Sequence, residues 1–327
     1  MLSILSSYLL TDADNRRIEE AIAPVGGGFI PAPETLEERI AQLDERIAEA
    51  DILFGGRLSE EQWRKAKKLR WIHVPWAGVN TLFNVEAIRG SDILITNASG
   101  VMSGSVADQV LAYMLAFTID LPRQLRAQER GEWLAYPLES PRRQLLRGKT
   151  LGIAGYGAIG RDIAMRARPF GMRIIATKRD TTSVPPELDR LLPSDQLHTL
   201  LASSDFVVTA LPLTDATRGT IGRAEFERMK PTAYFINIAR GAIVREEEMI
   251  DALRAGTIAG AALDVFEKEP LPPESPLWGL ENVILTPHTA GGYQGFQAAT
   301  VDLFLDNLRR YLAGEELRNV VDKGKGY

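Results

Sequence analysis

The sequence predicts an α/β protein built on parallel sheets and divided into two domains. Three observations carry this reading. Short apolar runs alternate with amphipathic stretches along nearly the whole chain, glycine or polar turns separate them, and 327 residues exceed the usual extent of one core. Hydrophobic residues make up 45% and charged residues 25%, a globular composition rather than a disordered or collagen-like one. A net charge of -5 opposes broad phosphate neutralisation, so nucleic acid is not expected as a partner. The absence of cysteine excludes disulfides, thiol nucleophiles and Cys-ligated metal centres, and three histidines leave little room for a His-rich metal site, so no metal is implied. No apolar run reaches the 18 or more residues of a membrane span, and no membrane role is expected. The opening MLSILSSYLL lacks a basic flank and runs straight into charged residues, so it reads as a first β-strand rather than a secretion signal, with the cytoplasm as the expected location.

The elements follow in order. Leu36, Ile40, Leu43 and Ile47 recur at helical spacing, and the strand-like DILFGG follows at 51–56. Ser59 and Gln62 have capping-box spacing before a helix carrying Trp63, Ala66 and Leu69, after which Trp71–Val74 and Ile93–Thr96 read as strands. A long helix begins near Ser103, with Val106, Val110, Met114 and Phe117 on one face, and ends before Pro122. Residues 123–147, rich in Arg and Gln, read as a solvent-facing arm. From Lys149 a second series supplies six strands: LGIAG, MRIIAT, FVVTAL, AYFINI, AGAALDV and VILTP. After Pro287 a helix over roughly 293–313 carries Val301, Leu305, Leu308 and Leu312, and with no strand of its own to cover it is expected to pack on the first domain.

Between LGIA and a helical segment stands Gly155-Tyr-Gly157-Ala158-Ile159-Gly160. A G-x-G-x-x-G string alone is a weak signal, and its place between strand and helix is what strengthens it. Gly155 permits the tight turn, Gly157 lets backbone approach a pyrophosphate, and Gly160 allows close helix–sheet packing, with Ala158 and Ile159 opening the helix that faces the anion. The second strand, MRIIAT, is followed by Lys178 and Arg179 where an acid for the adenosine ribose is usual. Two cations there suit a 2′-phosphate, which favours NADP(H) over NAD(H). Asp180, 20 residues after Gly160, would serve as the ribose acid if the strand ran two residues further, and all three residues also fit a solvated turn.

Three later residues fall where strand ends deliver groups to a crevice. Arg240 follows AYFINIA, and its planar guanidinium suits a carboxylate as well as it suits an ordinary ion pair. His288 follows VILTP, and Glu269 stands nineteen residues earlier in KEPLPPESP. Singly, such a His is more often structural and such a Glu usually solvated. His73, inside WIHV, and His198, inside DQLHTLLASSD, read as structural or surface residues.

At these residues the chain resembles the D-isomer-specific 2-hydroxyacid dehydrogenase family. The matching stretches are TNASGVMSGSVADQVLAYMLA (96–116), KTLGIAGYGAIGR (149–161), SSDFVVTALPLTDATRG (203–219), MKPTAYFINIARGAIV (229–244), AGAALDVFEKEPLPPESPLW (259–278) and NVILTPHTAGG (282–292). The resemblance is strong from about Thr96 to Gly292 and weak over the first seventy or so residues, where WAGVN at 76–80 matches. It implies two Rossmann-like, flavodoxin-like parallel-sheet domains with a cleft between them. One is a discontinuous substrate domain, 1–98 plus 291–327, and the other a dinucleotide-binding domain, 99–290.

The roles implied by the resemblance fall on particular residues. Arg240 would bind the substrate carboxylate and polarise the carbonyl, His288 would exchange the proton of the C2 oxygen, and Glu269 would pair with the imidazole and favour its protonated form. Asp264 would lie near the nicotinamide carboxamide, and Leu211, Pro212, Thr217, Ile238, Ala239, His288 and Gly291 would complete the cofactor site. Trp76, Ala77, Gly78 and Val79 would hold the substrate. The implied activity is hydride transfer between NADP(H) or NAD(H) and a small 2-keto or 2-hydroxy acid, with glyoxylate and hydroxypyruvate as first candidates, in a homodimer built through the helix near Ser103 and its arm. Asp108, Asn80 and Lys178 depart from the family pattern, and only the last bears on the cofactor, since it replaces an aspartate. Substrate side-chain selection is assigned to the surroundings of Trp76, Trp133 and Trp278. A dinucleotide-sensing corepressor on the same fold, or a dehydrogenase of formate or phosphite, are the other readings, and multiple-turnover reduction separates the first of these from an enzyme.

Overall fold

Residues 1–135 and 143–326 are described by the computed structural model, in which two parallel sheets form separate units. One unit comprises Met1–Met102 and Tyr293–Tyr327, the other Ser103–Gly292, so the divisions fall a few residues beyond those read from the sequence.

In the first unit, β1 (Ser3–Ser6), β2 (Gly28–Ile30), β3 (Ile52–Phe54), β4 (Trp71–Val74) and β5 (Leu94–Asn97) lie in the order β2-β1-β3-β4-β5. Successive residues alternate across this sheet. Leu5, Leu53, Ile72 and Ile95 face one cluster with Leu43 and Ile47, while Ile4, Ile52, Phe54 and Trp71 face another. The second face is closed by α1 (Asp12–Ile22) through Ile18 and Ile22 and by the C-terminal helix Phe296–Ala313 through Val301, Phe304 and Leu308. Phe304 is fully buried, its ring 4.7 Å from Phe54, 5.3 Å from Trp71 and 5.3 Å from His73.

Local sequence explains where these helices start. Thr35 with Glu38 and Ser59 with Gln62 form reciprocal capping boxes at α2 (Leu36–Arg46) and α3 (Glu60–Lys65), satisfying N–H groups that the first turn leaves open. The expected helix after Ser59 is shorter than its apolar spacing suggested. Ala66 closes α3 by bonding back to Gln62 and Trp63, and the following turn, not the helix, carries Leu69 into the core. β2 has no counterpart in the sequence reading, because it is a half-buried three-residue edge strand defined only by its register with β1, Ser3 opposite Gly28 and Leu5 opposite Ile30.

His73 sits at the centre of the first unit. Its Nδ1 lies 2.8 Å from Thr96 Oγ1, an oxygen that also accepts from Trp71 Nε1 at 2.9 Å. Burial among aromatic rings pushes the imidazole down to about 3, so it is neutral.

The first unit also holds the short helix α4 (Glu86–Arg89), and in the second unit α5 (Ser103–Thr118) is followed by α6 (Leu121–Glu129). Part of the expected solvent-facing arm is therefore helix. Pro122 stands in the first turn of α6, where its missing N–H costs nothing. Residues 136–142 of that arm lie outside the described residues. The sheet contains seven strands: β6 (Thr150–Ala154), β7 (Arg173–Lys178), β8 (Arg190–Pro193), β9 (Phe206–Thr209), β10 (Tyr234–Asn237), β11 (Gly260–Leu263) and β12 (Val283–Leu285). They run in the order β12-β11-β10-β9-β6-β7-β8, all parallel. The sequence reading gave six. β8 escaped it because four residues beginning with Arg and ending with Pro form a strand only at an edge. From β6 the chain builds outward through β7 and β8, then returns to place β9 on the other side of β6. That reversal opens a crevice at the strands' C-terminal ends.

Candidate active site

The glycine turn occupies this switch point. Gly155 follows β6 with φ +99°, and a Cβ there would lie 2.7 Å from the carbonyl oxygen of Ala210 and 3.1 Å from Leu211. At Gly160 a Cβ would lie 2.5 Å from the Gly155 oxygen, so only glycine lets α7 (Ala158–Ala167) start this close to the turn. Gly157 differs, since a Cβ would meet nothing within 4 Å. It is the N-cap of α7 and has no side chain to accept from the first-turn N–H groups, which include Ala158 and Ile159. Open space before uncapped donors, with the helix dipole behind them, fits the pyrophosphate of a dinucleotide. Such a cofactor would supply a hydride at its nicotinamide.

β7 ends at Lys178, one residue beyond MRIIAT, leaving Lys178, Arg179 and Asp180 exposed. Asp180 Oδ1 accepts from the backbone N–H of Thr182 at 3.0 Å and from its hydroxyl at 2.8 Å, and these bonds hold the carboxyl below its ordinary value. Lys178 Nζ lies 6.0 Å from the Tyr156 ring. Tyr156 donates to Glu187, which also meets Arg161 at 3.4 Å, and burial followed by that carboxylate pushes the phenol up. This cluster beside the glycine turn was not found from sequence, because Glu187 comes from the irregular stretch before β8.

On the far side of β9, Leu211, Pro212 and Thr217 form a loop closed on itself. Thr217 Oγ1 donates to Pro212 O at 2.6 Å and accepts from Thr214 N at 2.8 Å.

Adjacent strands β10, β11 and β12 deliver Arg240, Asp264 and His288 to the same edge. Asn237, 1% exposed at the end of β10, organises the first of them. Its Oδ1 accepts from Thr209 Oγ1 at 2.8 Å and Ala239 N at 3.1 Å, while Nδ2 donates to Arg240 O at 3.2 Å. The turn buries Ile238 and Ala239 and leads directly into Arg240, whose Nη1 donates to Ala239 O at 2.6 Å. Burial pulls the guanidinium below its ordinary value, and the nearby charge of Glu269 opposes the shift. Even so lowered, a guanidinium stays a cation at neutral pH.

Glu269 Oε2 lies 2.7 Å from His288 Nδ1, and Oε1 accepts from Phe266 N at 3.0 Å. The carboxylate is an acceptor only, so Nδ1 carries the proton toward it and Nε2 lies outside this contact. His288 has φ +52°, a left-handed backbone uncommon for a side-chain-bearing residue and one that surrounding bonds must sustain. Those bonds come from Asp264, 2% exposed, which accepts from Thr286 Oγ1 at 2.5 Å, Thr289 N at 3.0 Å and Ala290 N at 3.0 Å. Gly291 follows this tether. Arg240, Glu269 and His288 thus share one neighbourhood, while Asn237, Asp264 and Thr286 hold the backbone beneath them.

The residues Trp76, Ala77, Gly78 and Val79 belong to the first unit, in the loop after β4. Ala77 O accepts from Asn97 Nδ2 at 2.8 Å, and Trp76 O accepts from Ala98 N at 3.1 Å. Trp133 and Trp278 are exposed, the second donating to Pro272 O at 2.9 Å. His198 lies at the surface beside Glu225. Among the described residues no cluster of three or more His, Asp or Glu is placed to hold a metal, and no helix is long and apolar enough to cross a membrane.

Residues 111–290 match the family described as D-isomer specific 2-hydroxyacid dehydrogenase, NAD binding domain. The chain is 34% identical over 322 residues to D-3-phosphoglycerate dehydrogenase of Methanocaldococcus jannaschii, covering 96% of this chain and 59% of that longer protein. It is 37% identical over 276 residues to glyoxylate/hydroxypyruvate reductase B of Pectobacterium carotovorum, covering 84% and 86% of the two chains. Among solved structures, a D-isomer specific 2-hydroxyacid dehydrogenase from Xanthobacter autotrophicus Py2, in complex with NADPH and MES, superposes with a TM-score of 0.84 at 29% identity, covering 100% of this chain and 99% of that one. With a family match over more than half its length and a relative aligned nearly end to end, this chain belongs to the D-isomer-specific 2-hydroxyacid dehydrogenases, NAD(P)-dependent oxidoreductases of CH–OH donors.

Proposed function

We propose that the protein is an NADP(H)-preferring reductase of small 2-keto acids, with glyoxylate and hydroxypyruvate as its substrate class. The observation that carries the proposal is the Glu269–His288 contact of 2.7 Å with Arg240 in electrostatic reach of the same carboxylate. Arg240 anchors the substrate carboxylate and draws electron density toward the carbonyl oxygen. His288 gives its Nε2 proton to that oxygen as C2 is reduced and recovers a proton afterwards. Glu269 stabilises the imidazolium and fixes its orientation, so the proton is available on the correct nitrogen. The proposal rests on residues of the second unit alone.

The preference for NADP(H) is supported by the exposed cations Lys178 and Arg179 and by the engagement of Asp180 with Thr182. A carboxylate turned into its own loop is a poor partner for a ribose hydroxyl, whereas two cations lower the cost of a 2′-phosphate. Comparable relatives support the substrate class, among them the Pectobacterium enzyme named glyoxylate/hydroxypyruvate reductase B. A homodimer through α5 and α6 is part of the same reading, and the exposed apolar side chains Leu115, Ile119 and Leu125 support it. Sedimentation of the purified chain at a monomer's mass would reject that part.

Initial rates with glyoxylate, hydroxypyruvate, pyruvate and 2-ketobutyrate, each with NADH and NADPH, test the whole. Turnover of a 2-keto acid with lower KM for NADPH is expected. No multiple turnover with any of them overturns the reductase reading, and equal or better use of NADH overturns the cofactor preference. His288→Ala is expected to abolish turnover with cofactor binding retained, and persistence of the wild-type rate rejects its role.

A further inference from the structure

One buried polar contact in the second unit, between Tyr113 and Thr286, has no part in the substrate or cofactor roles assigned above. Tyr113, on α5 and 3% exposed, bonds Thr286, which lies 173 positions away and two before His288. The direction of this chain follows from its end. The Asp264 carboxylate only accepts, so Thr286 gives its single hydroxyl proton to Asp264 Oδ1, at 2.5 Å. Tyr113 must then donate to the Thr286 oxygen, and Gln109 Nε2 donates in turn to Tyr113 Oη at 3.0 Å. Burial raises the phenol's pKa, which keeps it a donor. Among the described residues Asp264 forms no ion pair, so its buried charge is balanced by hydrogen bonds. Aligned donors along such a chain polarise one another.

We propose that Gln109, Tyr113, Thr286 and Asp264 act as a one-directional hydrogen-bond chain that fixes the backbone on both sides of His288, making Tyr113 and Thr286 positioning residues for proton transfer. This rests on His288 being the proton-transfer group. The anchors are specific: Thr286 lies before His288, Thr289 and Ala290 lie after it, and all three bond the two oxygens of one carboxylate. Between them His288 adopts its left-handed backbone, a state that a residue with a Cβ rarely holds unless its neighbours enforce it. Without Tyr113's proton, Thr286 donates more weakly, the segment 286–290 samples more orientations, and the imidazole spends less time against Glu269.

Tyr113→Phe, Thr286→Val and Thr286→Ser test this in the full chain, with His288→Ala beside them. Thr286→Val is expected to lower kcat roughly tenfold and Tyr113→Phe by a smaller factor, with the KM for NADPH unchanged within about twofold. Thr286→Ser keeps the hydroxyl and is expected to stay within about twofold of the wild-type rate. Weaker pairing with Glu269 leaves the imidazole less well aimed, so kcat per NADPH-binding site, counted by fluorescence titration, falls in Thr286→Val and Tyr113→Phe. A loss of folded protein alone lowers the number of binding sites and leaves kcat per site unchanged. If Thr286→Val does not fold, Tyr113→Phe and Thr286→Ser decide. A wild-type rate per binding site in Tyr113→Phe, with His288→Ala inactive, overturns the chain while leaving the role of His288 intact. Wild-type turnover by His288→Ala overturns the reading on which the chain rests.

Discussion

Replacing His73 by Leu should flatten the acid side of the stability profile of this protein. The imidazole is enclosed by Phe54 at 5.4 Å, Phe304 at 5.3 Å and Trp71 at 6.1 Å, with Thr96 as its polar neighbour, and none of these carries a charge. Burial accordingly lowers its pKa from 6.5 to about 3. Between those values the unfolded chain binds the proton and the folded chain does not. The stabilising contribution is therefore complete above pH 6.5 and is lost as the pH falls toward 3, by about 1.4 kcal/mol for each pH unit. Taken from pH 7 to pH 5, the loss from this one group is about 2 kcal/mol. Urea unfolding followed by tryptophan fluorescence, with Trp71 beside the site, measures it in wild type and in His73→Leu at both pH values. Carboxylates titrating elsewhere contribute equally to both proteins, so the difference between the two slopes belongs to His73. Parallel slopes would refute the reasoning, as would an imidazole NMR signal for His73 that titrates near pH 6.5 in the folded protein.

Other outcomes follow from particular contacts. Gly160→Ala sets a methyl 2.5 Å from the Gly155 carbonyl and 3.2 Å from Ile153, so thermal unfolding should show a loss of about 1–3 kcal/mol and fluorescence titration a weaker affinity for NADPH. Phe304→Ala empties the space between Phe54 and Trp71 and should cost about 3–5 kcal/mol by denaturant titration, whereas the exposed Leu312 should tolerate alanine with little change. Glu269→Gln keeps the shape of the side chain but removes the anion. It should lower kcat by on the order of tenfold to a hundredfold in steady-state assays, and a wild-type kcat would count against the Glu269–His288 pairing.

What the sequence made legible was what depends on local pattern. The capping box at Ser59 and the buried face of α5 are encoded within a few residues of where they act. The glycine turn was equally readable, since the close approaches at Gly155 and Gly160 demand that residue type wherever strand, turn and helix meet this way. β2 and β8 were not, because each is a short edge strand whose identity resides in its neighbour's hydrogen bonds. The same reason hid the groups beneath the candidate site. Nothing adjacent to Tyr113 announces a bond to Thr286, and Asn237 looks like the end of any strand until its side chain is seen joining Thr209, Ala239 and Arg240. Arg240, Glu269 and His288, each ordinary taken singly, stood out because they lie in stretches that resemble the family. The residues that orient them are ordinary in type and are revealed only by distance.

The interrupted order of the first unit has a bearing on how the protein is made. Trp71 and Phe54 emerge from a ribosome long before Phe304, which fills the space between them. Throughout that interval the nascent sheet has only α1 over one face, while the unit from Ser103 to Gly292 is contiguous and has all its strands to hand. Vectorial synthesis therefore favours maturation from the middle of the chain outward, with the earliest-made segment the last to become secure. Slow translation over the final helix would prolong the period in which this apolar surface stands open to chaperones or to other nascent chains.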